Sequence, residues 1–334
     1  MDLKVASSGS YPRLGRNSIG RELRQARHDF DKGKKSLNYV RVVENALAEE
    51  IIKEQEALGL DIVSDGLVRW YCPVSHIAGK LEGVKPGPLH HFLETNFHVR
   101  KAVVEDLPRW RAPLVLEEWF FARLVSSKIV KAVLMGPATL RRYTENKSVF
   151  SLEKVEEAYV AALVKEISEL ASAGAEFIHI DDPLLLDAGE RWPFYIRAYG
   201  EFRKAASGVF LEVKTYGGYS GHLLDKFAEL PVDCIGIDCV SDTAVINSLA
   251  EDKHPLSGKS LSLGVVDSRT GRIESPENIA RLIEPALKYA SQTLLFEPNS
   301  GLEFTARRFA RAKLETLVSA KRLLEGAEQE EEIL

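Results

Sequence analysis

Eight short runs of β-branched and apolar residues, separated by stretches with helical periodicity, constrain the fold of this chain more than any other feature. The runs are 3–6, 61–65, 129–135, 177–181, 209–215, 234–240, 261–267 and 293–297. Short apolar runs that alternate with amphipathic helices indicate parallel strands joined by crossover helices. Eight such units predict a (β/α)8 TIM barrel of the α/β class, with an open, doubly wound sheet as the alternative.

Four stretches carry the clearest helical period: 38–59, 151–174, 275–290 and 304–326. In the first, one apolar face recurs every three to four residues and Gly59 supplies a stop. The second begins at Ser151 with a Ser-x-x-Glu-like cap and ends at Gly174. In the third, Ser275 is placed to cap the helix and Pro276 to occupy its first position.

The chain of 334 residues is long for one domain. Barrels of this type nevertheless reach such lengths around a single core, so we expect one catalytic domain over 1–325. Prolines and alternating residues interrupt the rhythm at 82–113, which predicts an inserted hairpin. The acidic segment 326–334 is expected to be a frayed, solvated tail.

Composition narrows the class of partner. A net charge of −5 gives no basic surface for nucleic acid, which favours a small-molecule substrate. Three cysteines without a CxxC pair suggest neither a disulfide framework nor a zinc module. No signal sequence and no membrane span are evident, so a cytoplasmic location is expected, and the oligomeric state stays open.

Polar residues follow nearly every predicted strand, where barrel enzymes place their active sites. They include Ser7, Ser8, Ser10, Asp65, Thr139, Arg141, Arg142, Tyr143, His179, Asp181, Asp182, Lys214, Tyr216, Asp238, Asp267, Arg269, Glu297, Asn299 and Ser300. Few of these are needed merely to close a barrel. We therefore expect the substrate site among them.

Adjacent carboxylates, Asp181 and Asp182, follow the fourth strand. Because side chains alternate along a strand, only one of them can face the barrel mouth. The functional interpretation is an anchor for a substrate amine or a cation. The structural interpretation is a helix N-cap or an ion pair with an arginine.

Lys214 closes an apolar strand and precedes Gly217 and Gly218. A lysine desolvated there could act as a neutral amine or form a Schiff base. It could equally be a structural lysine whose charge is balanced by Asp238 at the end of the next strand. Both interpretations predict that Lys214 and Asp238 meet.

Histidine and cysteine spacing gives weak metal signals. Cys72 and His76 lie one helical turn apart, and no HExxH motif is present. His179, inside an apolar strand, is typical of a hydrogen-bonded pocket or core histidine. His90 and His91 fall in the predicted hairpin and are expected at the surface. The glycines form neither a GxGxxG motif nor a P-loop, so no nucleotide site is predicted.

Six segments occur in order along nearly the whole chain: VASSGSYPRLG, LGLDIVSDG, VLMGPATL, FIHIDDP, GVVDSRTGRIESPENIARLI and EPNSGLEF. Together they resemble the catalytic domain of cobalamin-independent methionine synthase. The resemblance implies a barrel enzyme that moves a methyl group from a folate to the thiol of homocysteine, with zinc forming the thiolate.

Some of the family's substrate-binding residues have counterparts at the matching positions of this sequence, and others are replaced. Ser10 matches a serine that holds the amino-acid substrate, and Asp181 matches the aspartate that binds its ammonium. Tyr143 stands where the family stacks the pterin on tryptophan, so an aromatic platform is expected. Leu67 replaces a glutamate that contacts the substrate amine.

The family's zinc ligands are a His-x-Cys pair, a glutamate and a cysteine. The corresponding places here read Lys214-Thr215-Tyr216, Asp238 and Ser300. These are poor zinc donors, and an ammonium repels a cation, so no zinc is expected. The hypothesis that follows is that Lys214 substitutes for the metal's charge and pairs with Asp238.

The leading hypothesis is a zinc-independent methyl- or alkyltransferase with an altered donor or acceptor. Its predicted catalytic residues are Lys214, Tyr216 and Asp238, and its predicted substrate-binding residues are Ser10, Asp181, His179, Tyr143, Arg142 and Ser300. The methyl donor could be a folate or a corrinoid, the latter brought by a corrinoid carrier protein. Alternatives are a lyase or aldolase-like enzyme with Lys214 as Schiff-base nucleophile, or a non-catalytic barrel that binds a metabolite.

Overall fold

The computed structural model of the protein describes residues 2–15, 19–93, 95–251, 254–287 and 292–331. The contacts among them divide the chain into two units. The first unit consists of Met1–Arg69, Glu118–Val130 and Asp238–Leu334, and the second of Trp70–Glu117 and Lys131–Ile237.

The strands are β1 (Asp2–Val5), β2 (Ile62–Val63), β3 (Glu82–His91), β4 (His98–Arg109), β5 (Ile129–Met135), β6 (Thr144–Asn146), β7 (Phe177–Asp181), β8 (Phe210–Lys214), β9 (Cys234–Asp238), β10 (Ser260–Val266) and β11 (Thr293–Pro298). Eight of them form one sheet in the order β1-β11-β10-β9-β8-β7-β5-β2. Parallel pairing joins β1 to β11, β10 to β11, β2 to β5, β5 to β7, β7 to β8 and β8 to β9.

The two ends of this sheet are connected within the first unit. Ala6, just after β1, forms a parallel bridge with Ile62 of β2. A sheet whose first and last strands are bridged has the topology of a closed barrel rather than of an open, doubly wound sheet. The predicted (β/α)8 TIM barrel is therefore confirmed, and each of its strands lies within one or two residues of its predicted position.

The helices are α1 (Ile19–Asp31), α2 (Leu37–Leu58), α3 (Pro73–Ala78), α4 (Leu116–Val125), α5 (Pro137–Arg142), α6 (Leu152–Ser172), α7 (Trp192–Ala205), α8 (Leu224–Ala228), α9 (Val245–Leu249), α10 (Pro276–Leu287) and α11 (Arg307–Glu331). Short 3-10 segments occupy Pro183–Asp187, Gly189–Arg191 and Gly221–Leu223. None of the described helices is long and apolar enough to cross a membrane.

Local sequence signals explain where the predicted helices begin and end. Ser151 caps α6 by accepting the Lys154 N–H at 3.3 Å, and Ser275 accepts the Asn278 N–H at 3.1 Å as predicted. Gly59 follows α2 with φ of +93°, the left-handed conformation that ends helices and favours glycine. The predicted continuation of α10 over 288–290 lies outside the described residues.

The interruption at 82–113 is the predicted hairpin. In the second unit β3 and β4 pair antiparallel, and β6 adds to β4 in parallel. At the hairpin tip, the Phe92 N–H donates to the Phe97 carbonyl at 2.8 Å. Leu93 follows with φ of +48°, an uncommon value for a residue with a side chain.

In the first unit, α11 binds two distant segments through buried or half-buried lysines. Lys313, fully buried, contacts the Arg272 carbonyl and forms an ion pair with Glu274 at 3.0 Å. Lys321 pairs at 2.9 Å with the Asp61 carboxylate, which also accepts the Val5 N–H at 2.8 Å.

The end of the chain was predicted as a frayed tail over 326–334. α11 instead continues through Glu331, so most of this segment is helical in the structure. The last three residues of that prediction lie outside the described residues. The single-domain prediction over 1–325 stays a prediction.

Candidate functional site

In the second unit, the ends of β7 and β8 bring Asp181, Lys214 and Tyr216 together. Asp181 and Lys214 are register partners across the two strands. The Tyr216 hydroxyl donates to Asp181 Oδ2 at 3.1 Å. Burial raises the pKa of Asp181 to about 6, while His179, Tyr216 and Lys214 act in the opposite direction. At neutral pH this leaves a carboxylate that is available to a cationic group.

The neighbouring Asp182 serves the structure instead. It is fully buried, and its carboxylate accepts the Thr139 N–H at 2.8 Å, the Thr139 hydroxyl at 2.6 Å and the Tyr199 hydroxyl at 3.1 Å. A fourth donor is the Ala138 N–H at 3.3 Å. Both N–H groups belong to the first turn of α5. Asp182, which directly follows β7, therefore caps that helix. Burial raises the pKa of Asp182 to about 6 against these hydrogen bonds.

A Cβ at Gly136 would overlap the Asp182 carboxyl group, so only glycine fits before α5. This close approach fixes Asp182 against the α5 N-terminus. Of the two adjacent carboxylates, Asp182 is thus the one that is engaged by α5.

The interior of strands β5, β7 and β8 contains a buried ionisable group. Its members are Lys131, His179 and Glu212. His179 Nδ1 and Glu212 Oε2 are 2.6 Å apart, and Lys131 Nζ is 3.2 Å from the same oxygen. The three residues are at most 2 % exposed. Burial by itself raises the pKa of Glu212, but Lys131 and His179 more than offset this and hold it well below the usual value.

Tyr143 and Arg142 follow α5 beside the hairpin. The Tyr143 ring is 4 % exposed and stacks on Phe92 with centroids 5.3 Å apart. Its hydroxyl accepts the Leu93 N–H at 2.9 Å, and burial raises its pKa while that hydrogen bond and Arg142 oppose the rise. Arg142 itself is exposed. One face of the expected aromatic platform is therefore covered by the hairpin.

In the first unit, a hydrogen-bonded chain runs across the ends of β9, β10 and β11. The Asn299 amide donates to both Asp238 oxygens at 3.2 Å. Its own oxygen accepts the Ser268 N–H at 2.9 Å, and the Ser268 and Ser300 hydroxyls lie 2.6 Å apart.

Asp238 is also held from its own loop. Its Oδ1 accepts the N–H groups of Val240 at 3.0 Å and Ser241 at 2.9 Å. Three neutral donor groups thus surround a carboxylate that is 2 % exposed. The predicted meeting of Lys214 and Asp238 stays a prediction.

Ser10 follows β1, and its hydroxyl donates to Glu303. A Cβ at Gly301 would overlap that hydroxyl, so glycine is required for the close approach. Asp65 lies two residues after β2, and its carboxylate accepts the Leu67 N–H at 3.0 Å. Burial and the nearby Glu118 raise the pKa of Asp65 to about 6.

The weak metal signal of Cys72 and His76 has a structural explanation. Cys72 caps α3, where its sulfur accepts the N–H groups of Ser75 at 3.2 Å and Arg100 at 3.3 Å. The His76 ring stacks on Trp70 at 4.9 Å. His90 and His91 are exposed on the hairpin, as predicted.

The sequence profile described as "Cobalamin-independent synthase, Catalytic domain" matches residues 4–322. This chain belongs to that family. A methionine synthase of Pyrococcus abyssi is 29% identical over 282 residues, which cover 82% of this chain and 80% of the relative.

A second relative and one solved structure are also similar to this chain. A 5-methyltetrahydropteroyltriglutamate–homocysteine methyltransferase of Streptomyces coelicolor is 27% identical over 97% of this chain, which spans 42% of that longer protein. A B12-independent methionine synthase from Shewanella sp. W3-18-1, solved with selenomethionine, superimposes with a TM-score of 0.80 at 20% identity, covering 98% of this chain and 99% of that one. The last comparison shows the shared fold.

Two residues of the buried group around His179 were not predicted from the sequence. Lys131 and Glu212 lie inside apolar runs, IVKAVLM and FLEVK, rather than at their ends. A charged residue in the middle of a buried strand was the available signal, because such a residue needs a partner. Which partner it meets depends on strand order and register.

The chemistry of the donor set does not fit the zinc that the family resemblance implies. The matched places offer an amine, a phenol, one carboxylate and one alcohol. The carboxylate of Asp238 already accepts four hydrogen bonds, and the Ser300 hydroxyl already pairs with Ser268. Zinc sites use thiolates, imidazoles and carboxylates.

Proposed function

We propose that this chain is a methyl- or alkyltransferase of methionine-type metabolism that acts without zinc on a small acceptor bearing an amino group. Family membership over residues 4–322 supports the transfer chemistry. The observation that carries the rest is the arrangement at the ends of β7 and β8, where Asp181 holds a hydrogen bond from Tyr216 and is the register partner of Lys214.

Asp181 is suited to bind the ammonium of the acceptor. Its carboxylate accepts a hydrogen bond from the Tyr216 hydroxyl, whereas the carboxylate of Asp182 is engaged by Thr139 and Tyr199 and caps α5. Lys214 supplies a fixed positive charge one strand away, and the Tyr216 hydroxyl orients the carboxylate. These three groups would hold the acceptor while a methyl group arrives from the donor.

The donor is proposed to be a methylated folate, with a methylated corrinoid on a carrier protein as the competing source. The names of the relatives favour the folate, since the Streptomyces coelicolor protein is named for a methyltetrahydropteroyl donor and homocysteine. Tyr143, which is 4 % exposed and stacks one face on Phe92, is proposed to contact the flat donor, and Arg142 would face the donor's acidic tail. Ser10 and Ser300 are proposed to contact the acceptor's polar groups.

The test is methyl transfer by purified protein with homocysteine-type aminothiols, before and after exhaustive chelation. Methyl-folate and methyl-corrinoid are supplied separately as donors. We expect turnover with the folate that chelation leaves unchanged, and no stoichiometric zinc by metal analysis. Stoichiometric zinc whose removal abolishes turnover would refute the zinc-independent reaction.

Variants separate the role of Lys214 from general damage to the fold. Lys214→Met is expected to lower kcat/KM at least about 100-fold, since it removes a buried charge from the site. The matched control is Lys204→Met, which removes an exposed lysine that pairs with Glu201 one helical turn away. Equal activity of the two variants would contradict the proposed role.

The lyase alternative predicts a different result for Lys214. A Schiff base with a carbonyl substrate would be trapped by borohydride as a stable adduct on this lysine. We expect no adduct with α-keto acids or aldehydes. An adduct on Lys214 together with absent methyl transfer would replace the transferase proposal by the lyase.

A further inference from the structure

Three neighbouring strands of the second unit each place one ionisable side chain in the same buried group. Lys131 comes from β5, His179 from β7 and Glu212 from β8. Within the described part of the chain, His179 Nε2 and Glu212 Oε1 are buried without a hydrogen-bond partner. Nearly all buried polar atoms in proteins are satisfied, so two unsatisfied atoms in one group indicate a place where another molecule binds.

The contacts of His179 indicate which of its two ring nitrogens could accept a proton. Nδ1 lies 2.6 Å from Glu212 Oε2, and Lys131 stabilises that oxygen as a carboxylate from 3.2 Å. A carboxylate only accepts hydrogen bonds, so Nδ1 carries the hydrogen and donates it. In the neutral imidazole Nε2 then has the lone pair, with which it can accept a proton or a hydrogen bond.

The position of His179 along β7 relates it to the proposed amine anchor. His179 and Asp181 are two residues apart on one strand, so their side chains leave the same side, about 6–7 Å apart along the strand. In an amino acid with a thiol two methylene groups beyond its α-carbon, four bonds separate the amine nitrogen from the sulfur, so the extended molecule spans nearly this distance. Its amine can therefore occupy Asp181 while its thiol reaches the deeper histidine.

We infer that His179 is the proton acceptor of the reaction, activating the acceptor's thiol in place of a metal; this inference rests on the proposed function. The S–H bond breaks, its electron pair stays on sulfur, and the proton bonds to Nε2. Sulfur then forms a bond to the methyl carbon while the bond from that carbon to the donor breaks, and its electron pair leaves with the donor. The Glu212 carboxylate compensates the positive charge on the imidazole.

A purely structural ion group would explain less. A buried Lys131–Glu212 pair alone is on average no more stabilising than apolar residues of the same volume. It would also give no reason for a histidine whose outer nitrogen is unsatisfied. A base oriented by a carboxylate accounts for all three residues and for the vacant lone pair.

The experiment follows thiolate formation directly by ultraviolet difference absorption when an aminothiol such as homocysteine binds at neutral pH. Wild-type protein is expected to show the thiolate band. His179→Gln, which keeps a hydrogen-bonding side chain but has no basic nitrogen, is expected to lose the band and to lower kcat about 100-fold, with KM changed less than about threefold. Glu212→Gln is expected to weaken both signals by a smaller factor.

Glu156→Gln is the matched control because Glu156 is an equally buried carboxylate of the second unit with cationic partners, Arg141 at 3.0 Å and Arg191. It should leave the band and kcat unchanged. Melting temperatures of all variants verify that losses of activity are not losses of fold.

Each outcome decides between the two proposals. Full turnover by His179→Gln, or saturable aminothiol binding by wild type without a thiolate band, would overturn the role of His179 while leaving the transferase intact. A thiolate band that depends on His179, with no transfer from either donor, would retain the base and refute the transferase. Failure to bind any aminothiol would refute both.

Discussion

Replacing Asp182 by alanine tests whether this carboxylate caps α5. The change removes the acceptor of two backbone N–H groups, from Ala138 and Thr139, and of two hydroxyls, from Thr139 and Tyr199. Hydroxyls can rotate toward other acceptors, whereas the N–H groups of a helix terminus are fixed. The two N–H groups therefore contribute most, at about 1–3 kcal/mol for each buried donor left unsatisfied.

An opposing contribution comes from the cost of burying the carboxylate itself. Its pKa is raised to about 6, so part of the hydrogen-bond energy is spent on keeping a charge out of water. Gly136 packs directly against the carboxyl group, which limits the cavity left by alanine. The free energy lost with the hydrogen bonds exceeds the free energy gained by no longer burying a carboxylate. We therefore expect Asp182→Ala to lower the free energy of unfolding at pH 7 by about 2–4 kcal/mol.

Urea unfolding monitored by circular dichroism measures this difference. The control is Asp187→Ala, which removes an exposed aspartate five residues away and should change the free energy of unfolding by less than about 0.5 kcal/mol. Asp182→Asn, which retains one acceptor oxygen, should fall between the two. A loss for Asp182→Ala no larger than that of the control would show that α5 does not depend on this cap.

Three smaller predictions follow from the pKa shifts and hydrogen bonds. Because the pKa of Asp181 is about 6, KM for the amine-bearing acceptor should rise as pH falls below 6. Steady-state kinetics of Asp181→Asn should show a high KM without that pH dependence. The pKa of Asp65 is raised to about 6 in the fold, so its contribution to stability is present below about pH 4 and is lost as pH rises through 6. Asp65→Asn should therefore gain on the order of 2 kcal/mol over wild type in urea unfolding between pH 4 and pH 7, and an unchanged difference across that range would contradict the shift. Tyr143→Phe leaves the Leu93 N–H without its acceptor, and hydrogen exchange at that amide should accelerate while core amides stay protected.

The strands of this fold were predictable because each is a short apolar run with a clear boundary. The hairpin at 82–113 was equally visible, since prolines and alternation replace the helical period there. Helices such as α1 and α7 were missed for the opposite reason. α1 is rich in charged residues, so its buried Leu23 and Ala26 stand out little from the sequence. In α7 the buried residues Trp192, Tyr195, Tyr199 and Phe202 are separated by basic and small residues, which weakens the apolar signal.

The candidate site divides in the same way. Asp181, Tyr216 and Lys214 stand at strand ends, where a barrel concentrates polar residues, and local sequence was enough to select them. Lys131 and Glu212 are partners only because of strand order and register, which place β5, β7 and β8 side by side. That information is absent from any one segment.

The contacts of α11 have a consequence for how the chain is completed during synthesis. Asp61 neutralises Lys321 while it accepts the N–H of Val5, so a ribosome-bound chain that lacks α11 presents this carboxylate without its cation. Glu274 likewise lacks its ion-pair partner until Lys313 of α11 is in place. β1 is thus secured by a helix that is far away in sequence, and both acidic groups lack these cationic partners until α11 has been synthesised and has packed.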